Sequence, residues 1–166
     1  IEDYGRSIEL DPLNAMTYVN RALVRQADGD FDGAIADCDR AISIQPDYAD
    51  AFFNRGNNRV AKGDRIGAVT DWDRAIQLDA RHAMAYVNRG ITQLGLKNLA
   101  AAQRDLDRAV ELMPRDPTAR LNRAAVLQAA GRPKEAKEEL KECLRLASPS
   151  WGHRETAKRR LEELER

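Results

Sequence analysis

The chain is poor in the residues that most chemistry requires. Its 166 residues include two cysteines and two histidines, aromatic side chains make up 5%, and 27 lysines and arginines are balanced by 27 aspartates and glutamates. Each scarcity closes a route. Cys38 and Cys143 lie far apart, which leaves neither a disulfide framework nor a thiolate metal set, and both read as small apolar residues on buried helix faces. His82 and His153 have no nucleophile or carboxylate at useful spacing, and no Gly-rich phosphate loop occurs. Both histidines are therefore expected at the surface, and the chain reads as non-enzymatic, with no catalytic residue, no metal and no cofactor. A net charge of zero removes the electrostatic footprint of a nucleic-acid or anionic-membrane binder. No apolar run approaches the ~20 residues that span a bilayer, so direct membrane insertion is not expected. The basic run Lys158, Arg159 and Arg160 is interleaved with glutamates and reads as a solvated helix face.

What is present is a period. The pair Asn-Arg recurs at 20–21, 54–55, 88–89 and 122–123, always 34 residues apart. A fixed interval of this length marks stacked repeats, in which each unit packs only on its neighbours and the core is an extended slab. The frame gives a half unit at 1–14, full units at 15–48, 49–82, 83–116 and 117–150, and a closing segment at 151–166. Each full unit reads as two amphipathic helices, the first running from about Ala15 to Asp28 in unit one. Gly29-Asp30 and Gly63-Asp64 separate the two, glycine as a left-handed cap and aspartate as the next N-cap, while Lys97-Asn98 and Gly131-Arg132-Pro133 vary the theme. The second helix carries Asp-x-Asp-Arg-Ala at 37–41, 71–75 and 105–109, and Pro12, Pro46 and Pro114 stop it. Residues 1–10 match that second helix alone, so more chain upstream is expected. A helix from near Pro149–Trp151 to Glu165 is expected to cover the open end of the stack.

Small and large residues alternate at fixed places. Unit one has Tyr18, Ala22, Ala34, Cys38, Ala41 and Pro46; unit two has Phe52, Gly56, Ala68, Trp72, Ala75 and Ala80; unit three has Tyr86, Gly90, Ala102, Leu106, Ala109 and Pro114. Such alternation lets paired helices approach closely and interlock. The pattern resembles the tetratricopeptide repeat (TPR) family over essentially the whole chain. Unit four departs from it, with Arg120 at the aromatic position and Cys143 and Ser148 at the Ala and Pro positions, and reads as a looser terminal unit. The resemblance implies an all-α, right-handed α-α superhelix (TPR solenoid) of antiparallel helix pairs with a C-terminal capping helix. It also implies a protein-interaction scaffold that holds an extended peptide segment of a partner in a concave groove.

Helical spacing places Met16, Asn20 and Leu23 on one face of the first helix, matched by Asn54 and Asn57, by Met84, Asn88 and Ile91, and by Asn122. Val19, Phe53 and Val87 sit beside them at the expected groove edge. An asparagine amide offers one acceptor and two donors, so it can grip the N–H and C=O of a peptide unit together. TPR domains of the O-linked N-acetylglucosamine transferases carry a similar asparagine ladder. The alternative is that each Asn bonds helix carbonyls or the next repeat. Chaperone-adaptor TPR domains grip a terminal carboxylate with Lys and Arg, yet the matching positions here hold Met16, Val19, Asp50, Met84 and Val87, so that mode is not expected. Arg21, Arg55, Arg89 and Arg123 recur in step with Asp37, Asp71, Asp105 and Glu139, 16 residues later in each unit. A partly buried charge needs a partner, so internal ion pairs that set register are expected. Two further readings stay open: the substrate-selecting or regulatory part of a larger enzyme, and self-assembly through the N-terminal end, where Tyr4 and Ile8 lack a partner helix. Neither the partner nor the compartment is written in the sequence, with the cytoplasm only marginally favoured.

Overall fold

The computed structural model describes residues 1–166 and contains ten helices and no strand. They are α1 (Glu2–Leu10), α2 (Ala15–Ala27), α3 (Phe31–Ile44), α4 (Ala49–Ala61), α5 (Arg65–Leu78), α6 (Ala83–Gly95), α7 (Leu99–Leu112), α8 (Pro117–Ala129), α9 (Pro133–Leu146) and α10 (Arg154–Glu165). Their boundaries follow local chemistry. Gly29, Gly63 and Gly131 take φ of 79°, 87° and 72° between paired helices, the left-handed geometry that ends a helix. Lys97 holds the same place at φ 63°, where a side chain costs roughly 1–2 kcal/mol. Asp30 and Asp64 accept the N–H groups of Gly33 and Gly67 at 2.9 and 2.8 Å, and Asn14 and Asp116 cap α2 and α8 in the same way. Asn98 does not cap α7; its amide goes to the Gln93 side chain instead.

The chain forms two compact units, Ile1–Ala85 and Tyr86–Arg166. In the first, Ala15, Tyr18, Val19, Ala41 and Ala51 make one apolar cluster, with Ile8 of α1 packed against it. Phe52, Ala68, Trp72, Ala75 and Ala85 make the next. Gly56 permits the close approach of α4 and α5, because a Cβ there would lie 2.7 Å from Trp72 Nε1. In the second unit, Val87, Ala109, Val110 and Ala119 form one cluster, and Leu121, Ala124, Leu127, Ala136, Leu140, Cys143 and Ala157 form another. Residues 117–150, expected to be loose, are well packed, because Trp151, Leu161 and Leu164 close that last cluster. The closing helix itself starts later than expected, at Arg154. Turn hydrogen bonds from Trp151 N–H to Ser148 and from Arg154 N–H to Trp151 occupy the residues before it. No helix is long and apolar enough to cross a membrane.

Candidate functional site

The two halves of the Asn-Arg pair meet different surroundings. Arg21 grips Asp37 as a fork, Nε to Oδ2 at 2.8 Å and Nη2 to Oδ1 at 2.6 Å. Arg55 does the same to Asp71, Arg89 to Asp105, and Arg123 Nη1 reaches Glu139 at 3.2 Å. Asp37, Asp71 and Asp105 are buried, so these are desolvated pairs. Arg25 and Arg59 add a second guanidinium to Asp37 and Asp71, each at 3.0 Å.

The second acid of Asp-x-Asp also has a job, which sequence reasoning missed. Asp39 accepts Arg55 Nη1 at 2.6 Å, so Arg55 ties the acid of one repeat to the acid of the next. Asp107 lies 2.8 Å from Arg123 Nε, although without hydrogen-bond alignment. The signal was available, because Asp39 precedes Arg55 by the same 16 residues that separate Arg55 from Asp71. Burial opposes the Arg55 charge, but hydrogen bonds to Asp71 and Asp39 outweigh it and raise its pKa above the ordinary value. The aromatic column joins this network. Arg21 and Arg40 lie 5.6 and 5.9 Å from the Tyr18 ring centre, and Arg55 and Arg74 lie 5.4 and 6.0 Å from that of Phe52. In the fourth repeat Arg120 replaces the aromatic and turns its fork on Glu139 and the Pro114 carbonyl. Both thiols are buried, and burial pushes Cys38 up to about 12 and Cys143 up to about 11.

The asparagine faces are mixed. Asn54 is 7% exposed and its Nδ2 donates to the Asp50 carbonyl at 2.8 Å; Asn122 donates to the Thr118 carbonyl at 2.9 Å. Bonding to helix carbonyls thus uses one donor of each of these amides. Asn20, Asn57 and Asn88 are half-buried. Beside them Met16, Leu23, Met84 and Ile91 are 59, 45, 45 and 42% exposed. Val19 and Val87 are corrections: at 3% and 2% exposure they are core residues and not groove lining. Val19 packs into the cluster of Ala41 and Ala51, and Val87 into that of Ala109 and Ala119, so neighbouring helices cover them. Phe53 is half-buried, and its ring centre lies 4.5 Å from that of His82.

His82 is a second correction. Its side chain is only 13% exposed, Nδ1 accepts the Ala85 N–H at 3.3 Å, and Nε2 lies 3.3 Å from Asp50 Oδ1. Spacing along one helix could not reveal this contact, because Asp50 starts α4 and His82 precedes α6. His153 is exposed, edge-on to Trp151 at 5.6 Å.

Two models of the tetratricopeptide repeat match the chain, at residues 16–48 and 88–150, together more than half of it. The chain belongs to the tetratricopeptide repeat family. No curated protein matches it. Among solved structures, YrrB, described as a TPR protein with an unusual peptide-binding site, superposes with a TM-score of 0.82 at 23% identity, covering 97% of this chain and 81% of YrrB. TTC0263, a thermophilic TPR protein of Thermus thermophilus, gives 0.80 at 19% identity, covering 96% of this chain and 87% of its own. The first TPR of Spaghetti (RPAP3), bound to the HSP90 peptide SRMEEVD, gives 0.69 at 23%, covering 70% and 93%. At these identities the likeness establishes the TPR solenoid fold. On this TPR framework the arginine column is internally paired in every repeat, whereas the asparagine faces of α2 and α6 keep exposed apolar side chains.

Proposed function

We propose that this TPR chain is a non-catalytic scaffold that holds an extended segment of another protein against the helix faces bearing Asn20 and Asn54 in its first compact unit, with Asn88 and Asn122 the equivalent candidates in the second. One observation carries the reading: the exposed side chains Met16 and Leu23 share a face with Asn20 on α2, and Met84 and Ile91 share one with Asn88 on α6, while the arginines are spent on internal acids. Asn122, half-buried, uses one Nδ2 proton on its own helix, which leaves a second donor and the Oδ1 acceptor for a peptide unit, whereas Asn54 makes the same helix bond at 7% exposure. Recognition of this kind reads backbone and tolerates many sequences, in the manner of an asparagine ladder. Peptide binding described for YrrB and for the RPAP3 domain supports the ligand class.

The test is the double variant Asn20→Ala with Asn54→Ala, titrated with peptides selected on the wild-type chain. With about 1 kcal/mol for each lost hydrogen bond, affinity is expected to fall by roughly tenfold or more at nearly unchanged melting temperature. A large drop in melting temperature with unchanged affinity would assign the asparagines to the fold.

A further inference from the structure

The equivalent positions of α2 and α4 differ in chemistry. Met16 is answered by Asp50, Asn20 by Asn54, and Leu23 by Asn57. The α2 face is therefore exposed and apolar, with Met16 and Leu23 59% and 45% exposed, and the α4 face carries a carboxylate whose side chain is 58% exposed. Among Met16, Asp50, Met84 and Thr118, the four residues of that column, Asp50 is the only charged one.

Its surroundings set Asp50 apart from the acids of the arginine network. Asp37, Asp39 and Asp71 are each neutralised by an arginine. Asp50 has no lysine or arginine partner; it has His82, whose Nε2 lies 3.3 Å from Oδ1. That imidazole is itself fixed, tilted 38° against the Phe53 ring at a centre distance of 4.5 Å and accepting the Ala85 N–H on Nδ1. His82 thus borders Asp50, and no lysine or arginine does.

We infer that this face selects a segment with an apolar side chain for Met16 and Leu23 and a lysine or arginine for Asp50. The inference rests on the peptide-binding reading above. α2 and α4 touch, and packed helices lie about 8–10 Å apart. An extended chain advances about 3.3 Å per residue, so the apolar and basic residues are about three positions apart. A basic side chain supplies the cation that Asp50 lacks, and an acidic one would meet an uncompensated carboxylate.

The experiment is selection of random twelve-residue displayed peptides on the wild-type chain and, separately, on Asp50→Lys. The wild type is expected to enrich an apolar residue with Lys or Arg about three positions away, and Asp50→Lys to enrich Asp or Glu there. Asp50→Asn should weaken the wild-type winner about tenfold at low salt and flatten its salt dependence. Its fold should be nearly unchanged, because Asn54 bonds the Asp50 backbone carbonyl and the isosteric amide keeps an oxygen or nitrogen beside His82. Winners without a basic residue, or indifferent to Asp50→Asn, overturn this inference and leave the peptide-binding reading standing. If the wild type enriches no peptide at all, both fall.

Discussion

Asn58 stands in a column otherwise filled by Val24, Thr92 and Val126. It is fully buried; its Nδ2 donates to the Asn54 carbonyl at 2.8 Å, and its Oδ1 meets no partner. An unsatisfied buried acceptor costs about 1–3 kcal/mol. Asn and Val have similar helix propensities, so the orphan oxygen decides the sign. Asn58→Val is therefore expected to stabilise by about 1–2 kcal/mol, seen as a higher denaturant midpoint at unchanged slope. A lower midpoint would mean that a water serves Oδ1. The repeat frame marks Asn58 as an outlier, but its full burial and orphan oxygen show only in the fold. Val19 shows the same limit in reverse. A helical wheel places it at an edge, and its burial against Ala41 and Ala51 comes from two other helices, α3 and α4. His82 likewise looked isolated because Asp50 and Phe53 reach it from another helix.

At the scale of the helix pair, the period itself carried the information. A spacing of 16 links a first-helix arginine to a second-helix acid, and it holds on both sides of Arg55, to Asp71 and back to Asp39. The two acids are not equivalent. Asp71 has a side-chain exposure of 2% and keeps Arg59 when Arg55 is lost, whereas Asp39 is 54% exposed. Removing one partner of a buried pair costs about 3–5 kcal/mol, and the remaining Arg59 should hold Arg55→Ala near the lower end of that range. Asp39→Ala breaks an exposed pair and should cost about 1 kcal/mol or less. Urea unfolding of the two variants and their combination checks the ranking. Equal losses would show that the link between repeats matters as much as the pair within one. The breaks inside the pairs were legible for the same reason: Gly29, Gly63 and Gly131 occupy one backbone conformation and Lys97 takes it in the third repeat, whereas the start of α10, outside the period, was not.

For the whole molecule, the repeat architecture predicts that damage stays local, since each helix pair depends on its neighbours and not on a shared centre. The two cysteines report on this independently. Cys38 lies in the first compact unit with Ala22 and Ala34, and Cys143 lies in the second beneath α10, in the cluster that includes Ala157. Burial raises both thiols, to about 12 and about 11, so at pH 8 both are protonated as well as covered. Removing residues 151–166 strips Trp151, Ala157, Leu161 and Leu164 from the Cys143 cluster and touches nothing around Cys38. Solvent then lowers the Cys143 pKa towards its ordinary value and admits the reagent, so both effects speed reaction of the thiolate. The shortened chain is expected to label at Cys143 at least tenfold faster than the full chain, with Cys38 unchanged, measured residue by residue by mass spectrometry. Equal acceleration at both sites would show that the chain opens as one cooperative body, and the nearest-neighbour description would fail. Unchanged protection at Cys143 would show that α8 and α9 seal their own cluster, which makes α10 dispensable as a cap.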